Sequence, residues 1–138
     1  MIHVAGVILV RKEDGAVLLQ HRDNKPGVFY PDHWCYPGGV VESSESFEEA
    51  AQRELFEETS YRALRMFPLM EEEYERNDKT IMKRHAYWSI YDGRQKIKCN
   101  EGQEVTFMTL DKLSGKKFIP GQERLFKMAV ELALAKTF

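Results

Sequence analysis

Cysteine is scarce in this chain. Cys35 and Cys99 are the only two in 138 residues. That is too few for a disulfide framework, and a reducing, cytoplasmic setting is the expectation. Long apolar runs are missing as well: no stretch approaches the roughly 18 residues a membrane span requires, so no membrane partner is expected. The opening Met1-Ile2-His3-Val4 lacks the basic and apolar regions of a signal peptide and reads as the start of a strand. An excess of one charge sign is also absent. Twenty basic and 22 acidic side chains leave a net charge of −2, which argues against extended nucleic acid as a partner. Internal repeats, low-complexity stretches and long linkers do not occur. What is present is an ordinary globular balance, 43% hydrophobic and 30% charged. The length suits a single domain over residues 1–138, as a monomer or homodimer.

The order of elements predicts an α/β fold. Val4 to Val10 is an apolar, β-branched run and reads as a buried strand. Asp14-Gly15 is a turn signal, with Val17 to Gln20 as the returning strand of a hairpin. Residues Asp23 to Asp32, with Pro26, Gly27 and Pro31, read as a loop. Trp34 to Tyr36 is a short strand that ends at Pro37-Gly38-Gly39, read as a turn whose glycines can take positive φ and approach a ligand closely. Ser46 to Ser60 is the clearest helix, opened by a Ser46–Glu49 capping box. Residues 62–73 and 80–91, Gln95 to Lys98 and Val105 to Leu110 are further strands. Pro120-Gly121 opens a second helix, where Leu125, Met128, Ala129 and Leu132 recur at helical spacing.

The first helix carries acid on its inner face. At about 100° per residue, Phe47, Ala50 and Ala51 point inward, and Glu54 and Glu58 fall on the same stripe with Glu57 beside it. Carboxylates on a buried stripe are costly unless they are paired or bound to a cation. A divalent metal removes both the burial cost and the mutual repulsion, and oxygen-only ligands favour Mg²⁺ or Mn²⁺ over zinc. The competing reading is a solvated acidic helix. Arg53 neighbours these carboxylates and can pair with Glu45, fixing the preceding loop onto the helix.

Gly39 to Tyr61 reads Gly-x5-Glu-x7-Arg-Glu-Leu-x-Glu-Glu-x-Ser-Tyr. This resembles the Nudix box, Gly-x5-Glu-x7-Arg-Glu-U-x-Glu-Glu-x-Gly-U, with U a large aliphatic residue. Gly39, Glu45, Arg53, Glu54, Leu55, Glu57 and Glu58 occupy its fixed positions. Two positions depart: Ser60 stands where the family has Gly, and Tyr61 where it has an aliphatic residue. A Ser holding the left-handed helix end that Gly normally holds should cost about 1 kcal/mol.

The resemblance implies a Nudix-type α/β/α sandwich: a mixed β-sheet with the Nudix helix and a C-terminal helix. It also implies Mg²⁺- or Mn²⁺-dependent hydrolysis of a nucleoside diphosphate linked to another group. Gly39, Glu54, Glu57 and Glu58 would be metal ligands, and Gly38, Glu45 and Arg53 structural support. Base catalysis would fall to Glu54, Glu57 or Glu101, the last in a Glu-Gly-Gln segment similar to one in the MutT-like branch; Glu104 is the alternative. Gln122, before the last helix, occupies the place of a purine-reading Asn. Arg22 could fork onto phosphate. The subfamily marks for ADP-ribose, NADH and coenzyme A are not in place, and Tyr74 stands somewhat early for a dinucleoside polyphosphate mark. The expected small-molecule substrate is therefore a (d)NTP, including oxidised purine nucleotides. The alternatives are a nucleotide sugar, a dinucleoside polyphosphate, or a non-catalytic nucleotide-binding module. His3, His21, His33 and His85 show no ligand spacing, and Cys35 reads as packed.

Overall fold

A computed structural model describes residues 1–136; Thr137 and Phe138 of the expected domain lie outside the described residues. Seven strands form one mixed sheet: β1 (Ile2–Arg11), β2 (Ala16–His21), β3 (Trp34–Cys35), β4 (Gly38–Val40), β5 (Phe67–Glu75), β6 (Ile81–Ile90) and β7 (Glu104–Met108). Its main order is β3-β2-β1-β6-β5, with β4 paired to β1 and β7 to β2. β1 and β6 run parallel, in register from Ile2↔Met82 to Val10↔Ile90, and the other pairs are antiparallel. Helix α1 (Phe47–Thr59) lies in the crossover between the two parallel strands, and α2 (Gln122–Ala135) follows β7.

β1 builds a core on each side of the sheet because successive side chains in a strand point to opposite faces. Ala5, Val7 and Leu9 pack with Leu18 against Ala50, Ala51 and Leu55 of α1. Ile8 and Val10 pack with Val17 and Leu19 against Leu125, Phe126, Ala129, Val130 and Ala133 of α2. The expected sandwich is present. No helix among the described residues is long and apolar enough to cross a membrane.

The helix ends follow local chemistry. Ser46 Oγ accepts from the Glu49 amide, and the Glu49 carboxylate accepts from the Ser46 amide, so the capping box is complete. Ser60 ends α1 in the left-handed region at φ 65°, so it keeps the conformation Gly normally holds at a helix end. Tyr61 is fully buried and its hydroxyl accepts from the Asp92 amide.

Several expectations are corrected. The strand expected over 62–73 starts only at Phe67. Before it, side-chain amides stand in for a strand partner: Gln95 bonds both backbone groups of Arg62, and Gln52 both of Ala63. Gln95 to Lys98 is not a strand. That segment crosses the C-terminal end of α1, where the Lys98 and Asn100 amides donate to the Thr59 and Glu58 carbonyls. These carbonyls have no partner inside the helix. The last expected strand stops at Met108 and gives way to a 3₁₀ turn at Leu110–Lys112. Gly38-Gly39 is strand β4, not a positive-φ turn. Phe47 is 37% exposed and stacks on His85, ring centroids 3.5 Å apart, as the first residue of α1 at the edge of the core rather than in it. Leu132 faces outward, and Phe126, Val130 and Ala133 complete the inner stripe of α2.

Candidate active site

The acidic end of α1 is fixed from three sides. Arg53 forks onto Glu45, with Nε–Oε2 at 2.9 Å and Nη2–Oε1 at 2.6 Å, and donates to the Val40 carbonyl at 3.1 Å. That guanidinium, followed by the Glu42 amide, holds the Glu45 carboxyl down at about 2. The loop between β4 and α1 is thereby tied to the helix, as expected for Glu45 and Arg53. Arg53 also reaches Glu54 at 2.9 Å and Glu57 at 3.3 Å.

Glu54 lies against Gly39. A Cβ at position 39 would sit 2.4 Å from Glu54 Cδ, so a side chain at position 39 would displace the Glu54 carboxylate from this place. Gly38 is likewise pressed onto the backbone of β1, where a Cβ would meet the Ala5 carbonyl at 2.7 Å. The two glycines serve close approach rather than a left-handed turn, and that corrects their reading as turn residues.

Glu58 is the unusual member. It is 2% exposed. Its Oε1 accepts from Gln20 Nε2 at 2.9 Å, while Oε2 is buried with no hydrogen-bond partner. Burial first, then the charges of Glu101 and Glu54, push its carboxyl well above the usual range. Glu54 is raised too, by burial that outweighs the pull of Arg53. Glu57 is mostly exposed on the flank. Among the described residues no three His, Cys, Asp or Glu side chains form a ready-made metal cage. Arg53 takes Glu54 and Glu57, while Glu58 lies beside Glu101. The donor set is nonetheless all oxygen, and the orphaned Glu58 Oε2 is a buried anionic atom that a hard cation would satisfy.

Glu101 joins this group from the far side of the sheet sequence. Gln20 Nε2 donates to the Glu101 carbonyl at 3.2 Å, and its distance to the Glu101 carboxylate is 3.5 Å. Asn100 secures the segment by donating from its side chain to the Glu57 carbonyl and to Ser60 Oγ. Glu104 instead is exposed at the start of β7, opposite His21.

A cleft of about 180 Å³ opens beside Gly38 and Gly39, with Phe29, Tyr30, Tyr36 and Tyr74 among its walls. Arg22 and Gln122 both line it. Arg22 is braced by the Phe29 carbonyl at 2.8 Å and also borders a polar groove with Gln20, Lys25 and Glu101. Gln122 Oε1 accepts from the Tyr36 amide at 3.2 Å. A backbone N–H can only donate, so the amide orientation is set and its NH₂ is what remains for the cleft.

His3 and His85, which show no ligand spacing in the sequence, meet in the fold: His3 Nδ1 and His85 Nε2 lie 2.9 Å apart beneath Phe47. Cys35 is buried, as expected. Gln20, Phe29 and Tyr30 escaped the sequence reading. For Gln20 a signal existed: it is a polar residue ending an apolar strand on the side that faces α1.

A sheet between two helices, with carboxylates on one helix and a Gly-Gly strand pressed against them, defines a recognisable class of domain. The NUDIX domain family matches residues 1–129, and the chain belongs to that family. It is 43% identical over 56 residues to a Bacillus subtilis (strain 168) protein named "Putative 8-oxo-dGTP diphosphatase". That match spans 41% of this chain and about a third, 34%, of the relative's length. Among solved structures, the fold is similar to the MutT protein of Methanosarcina mazei Go1 (TM-score 0.77, 20% identity, covering 98% of this chain and 96% of that one). It is also similar to the NUDIX domain of Shewanella oneidensis NrtR complexed with ADP ribose (TM-score 0.80, 20% identity, covering 96% and 88%).

Proposed function

We propose that this NUDIX protein is a Mg²⁺- or Mn²⁺-dependent pyrophosphohydrolase that cleaves a (d)NTP, with a 6-oxopurine base, oxidised forms included, as the preferred substrate. The observation that carries the reading is the buried Glu58 oxygen without a partner, on the same helix face as Glu54, whose carboxylate lies against Gly39. Glu54, Glu57, Glu58 and the Gly39 carbonyl would hold the cation, with Gly38, Glu45 and Arg53 as their support. When bound, a divalent cation screens the diphosphate charge, polarises a P–O bond and lowers the pKa of a water. The water oxygen adds to one phosphorus of the anhydride and the bond to the leaving phosphate breaks. The proton of that water passes to a carboxylate of the set: Glu54, Glu57 or Glu101.

The cleft supports the choice of substrate. Its volume suits a nucleobase, and its aromatic walls offer stacking surface. The free Gln122 NH₂ seeks an acceptor on the base edge. At position 6 a 6-oxopurine offers an acceptor, whereas a 6-aminopurine offers a donor. Arg22, between cleft and polar groove, is placed to fork onto a phosphate.

The test is a substrate panel with Mg²⁺: (d)NTPs including 8-oxo-dGTP, nucleotide sugars and dinucleoside polyphosphates, with products separated by chromatography. The expected result is fastest turnover of 6-oxopurine triphosphates to monophosphate and pyrophosphate, abolished by chelator. No turnover of any diphosphate, or full rate in excess EDTA, overturns the reading.

A further inference from the structure

Gln20 is a buried, uncharged polar side chain beside the carboxylates, 2% exposed, and it comes from β2 rather than from the acidic helix. Alternation along β2 puts it on the same face as Leu18, under α1. Its Nε2 donates to Glu58 Oε1 at 2.9 Å and to the Glu101 carbonyl at 3.2 Å. Its Oε1 faces Cys35 Sγ at 3.7 Å, and the thiol is the donor. Cys35 in turn lies 3.9 Å from Arg22 Nη1. A directed chain therefore runs from Arg22 through Cys35 to Gln20 and on to the acids. Burial keeps that thiol protonated, its pKa pushed up to about 12. The chain fixes which end of the Gln20 amide faces the carboxylates. Gly102 completes the arrangement: at φ 86° it lets the Glu101 segment close on β2, where a Cβ would come within 2.9 Å of Gln20 Cγ and 2.6 Å of the His21 carbonyl.

We propose that Gln20 is a positioning residue for the carboxylate site: its amide, aimed by the Cys35 thiol, holds Glu58 and Glu101 together and leaves Glu58 Oε2 as the oxygen offered to a divalent cation. This rests on the metal-site reading above. Residues that orient metal ligands typically affect affinity by about 10- to 100-fold when replaced.

The experiment is calorimetric titration of Mn²⁺ into the metal-free full chain, with thermal melts of each variant. Gln20→Met keeps the volume and removes both donors; it should weaken Mn²⁺ binding by about 10- to 100-fold. Cys35→Ala, which frees the amide to flip, should weaken it several-fold, and Cys35→Ser, which restores a donor, should return it to near the wild-type value. A purely structural Gln20 would lower the melting temperature and leave the Mn²⁺ affinity of the folded protein unchanged, and that result overturns the proposal. If Gln20→Met does not fold, the cysteine pair decides: equal affinity in Cys35→Ala and wild type overturns it. Absence of Mn²⁺ binding in the wild type would overturn the metal site itself, a separate failure.

Discussion

Glu45, just before α1, and Glu58, in its last turn, belong to one acidic pattern, yet the fold treats them in opposite ways. Glu45 has a guanidinium fork on both oxygens and a carboxyl held at about 2. Glu58 is buried with one oxygen unpartnered and its carboxyl pushed well upward. The N-terminal end of the helix is complete in itself, with a full capping box and Glu48 and Glu49 in the first turn, where the helix dipole favours negative charge. The C-terminal end has no basic residue in its last turn and places Glu57 and Glu58 against the unfavourable pole. One end of α1 is built for stability. The other stores an electrostatic cost that protonation of Glu58 relieves and that, on the proposed reading, a bound cation would relieve as well.

The contrast breaks most sharply through activity. Glu57→Gln and Glu58→Gln should each lower kcat/KM by at least about 10²-fold, since lost electrostatic terms in such sites are typically about 3 kcal/mol. Glu48→Gln, on the same helix but off the acidic face, should leave it within about twofold. Steady-state kinetics on the best substrate of the panel checks all three, and equal behaviour would erase the distinction between the two ends.

Stability against pH should separate the ends next. Glu58 has a raised folded pKa, so its contribution is intact below the ordinary value of 4.5 and is lost as pH rises through the folded value. Glu45 has a lowered one, so its contribution is present above 4.5 and is lost as pH falls toward about 2. Metal-free protein melted across pH should therefore lose stability on both sides. Glu58→Gln should flatten only the alkaline side and Glu45→Gln only the acid side. Saturating Mg²⁺ should restore the alkaline side of the wild type.

Smaller effects sharpen the same comparison. Ser46→Ala removes the cap and should cost about 1 kcal/mol in denaturant unfolding, with the rate per folded molecule unchanged. Ser60→Gly should move stability by less than about 0.5 kcal/mol. Relief of the left-handed Ser is offset by loss of the Asn100 bond to its hydroxyl. In an Asn100→Ala background the same change should stabilise by up to about 1 kcal/mol, as the helix end then lacks that bond.

The self-sufficient end of α1 was also the most legible in sequence, because caps and helical periodicity are local. Ser46, Glu49, the Glu45–Arg53 pair and the inward placement of Glu54 and Glu58 all follow from spacing within 20 residues. The cleft is assembled from residues as far apart as 4 and 122, and no local pattern announces Tyr30 or the polarity of Gln122. Gln95 to Lys98 alternates like a strand, but the Lys98 amide is claimed by α1, the Gln95 amide and carbonyl by Asp92 and Tyr91, and the Gln95 side chain by Arg62. Gly38-Gly39 misled differently. Composition suggested freedom of φ, and the requirement is space for Glu54.

The most direct test is a crystal of the protein soaked in Mn²⁺, with data collected at a wavelength where manganese scatters anomalously. The expected result is a peak bonded to oxygens of Glu54, Glu57 or Glu58 and the Gly39 carbonyl, with Arg53 released from Glu54. A peak elsewhere, or none at millimolar Mn²⁺ with Arg53 still bound to Glu54 and Glu57, would contradict a metal site at the acidic end of α1.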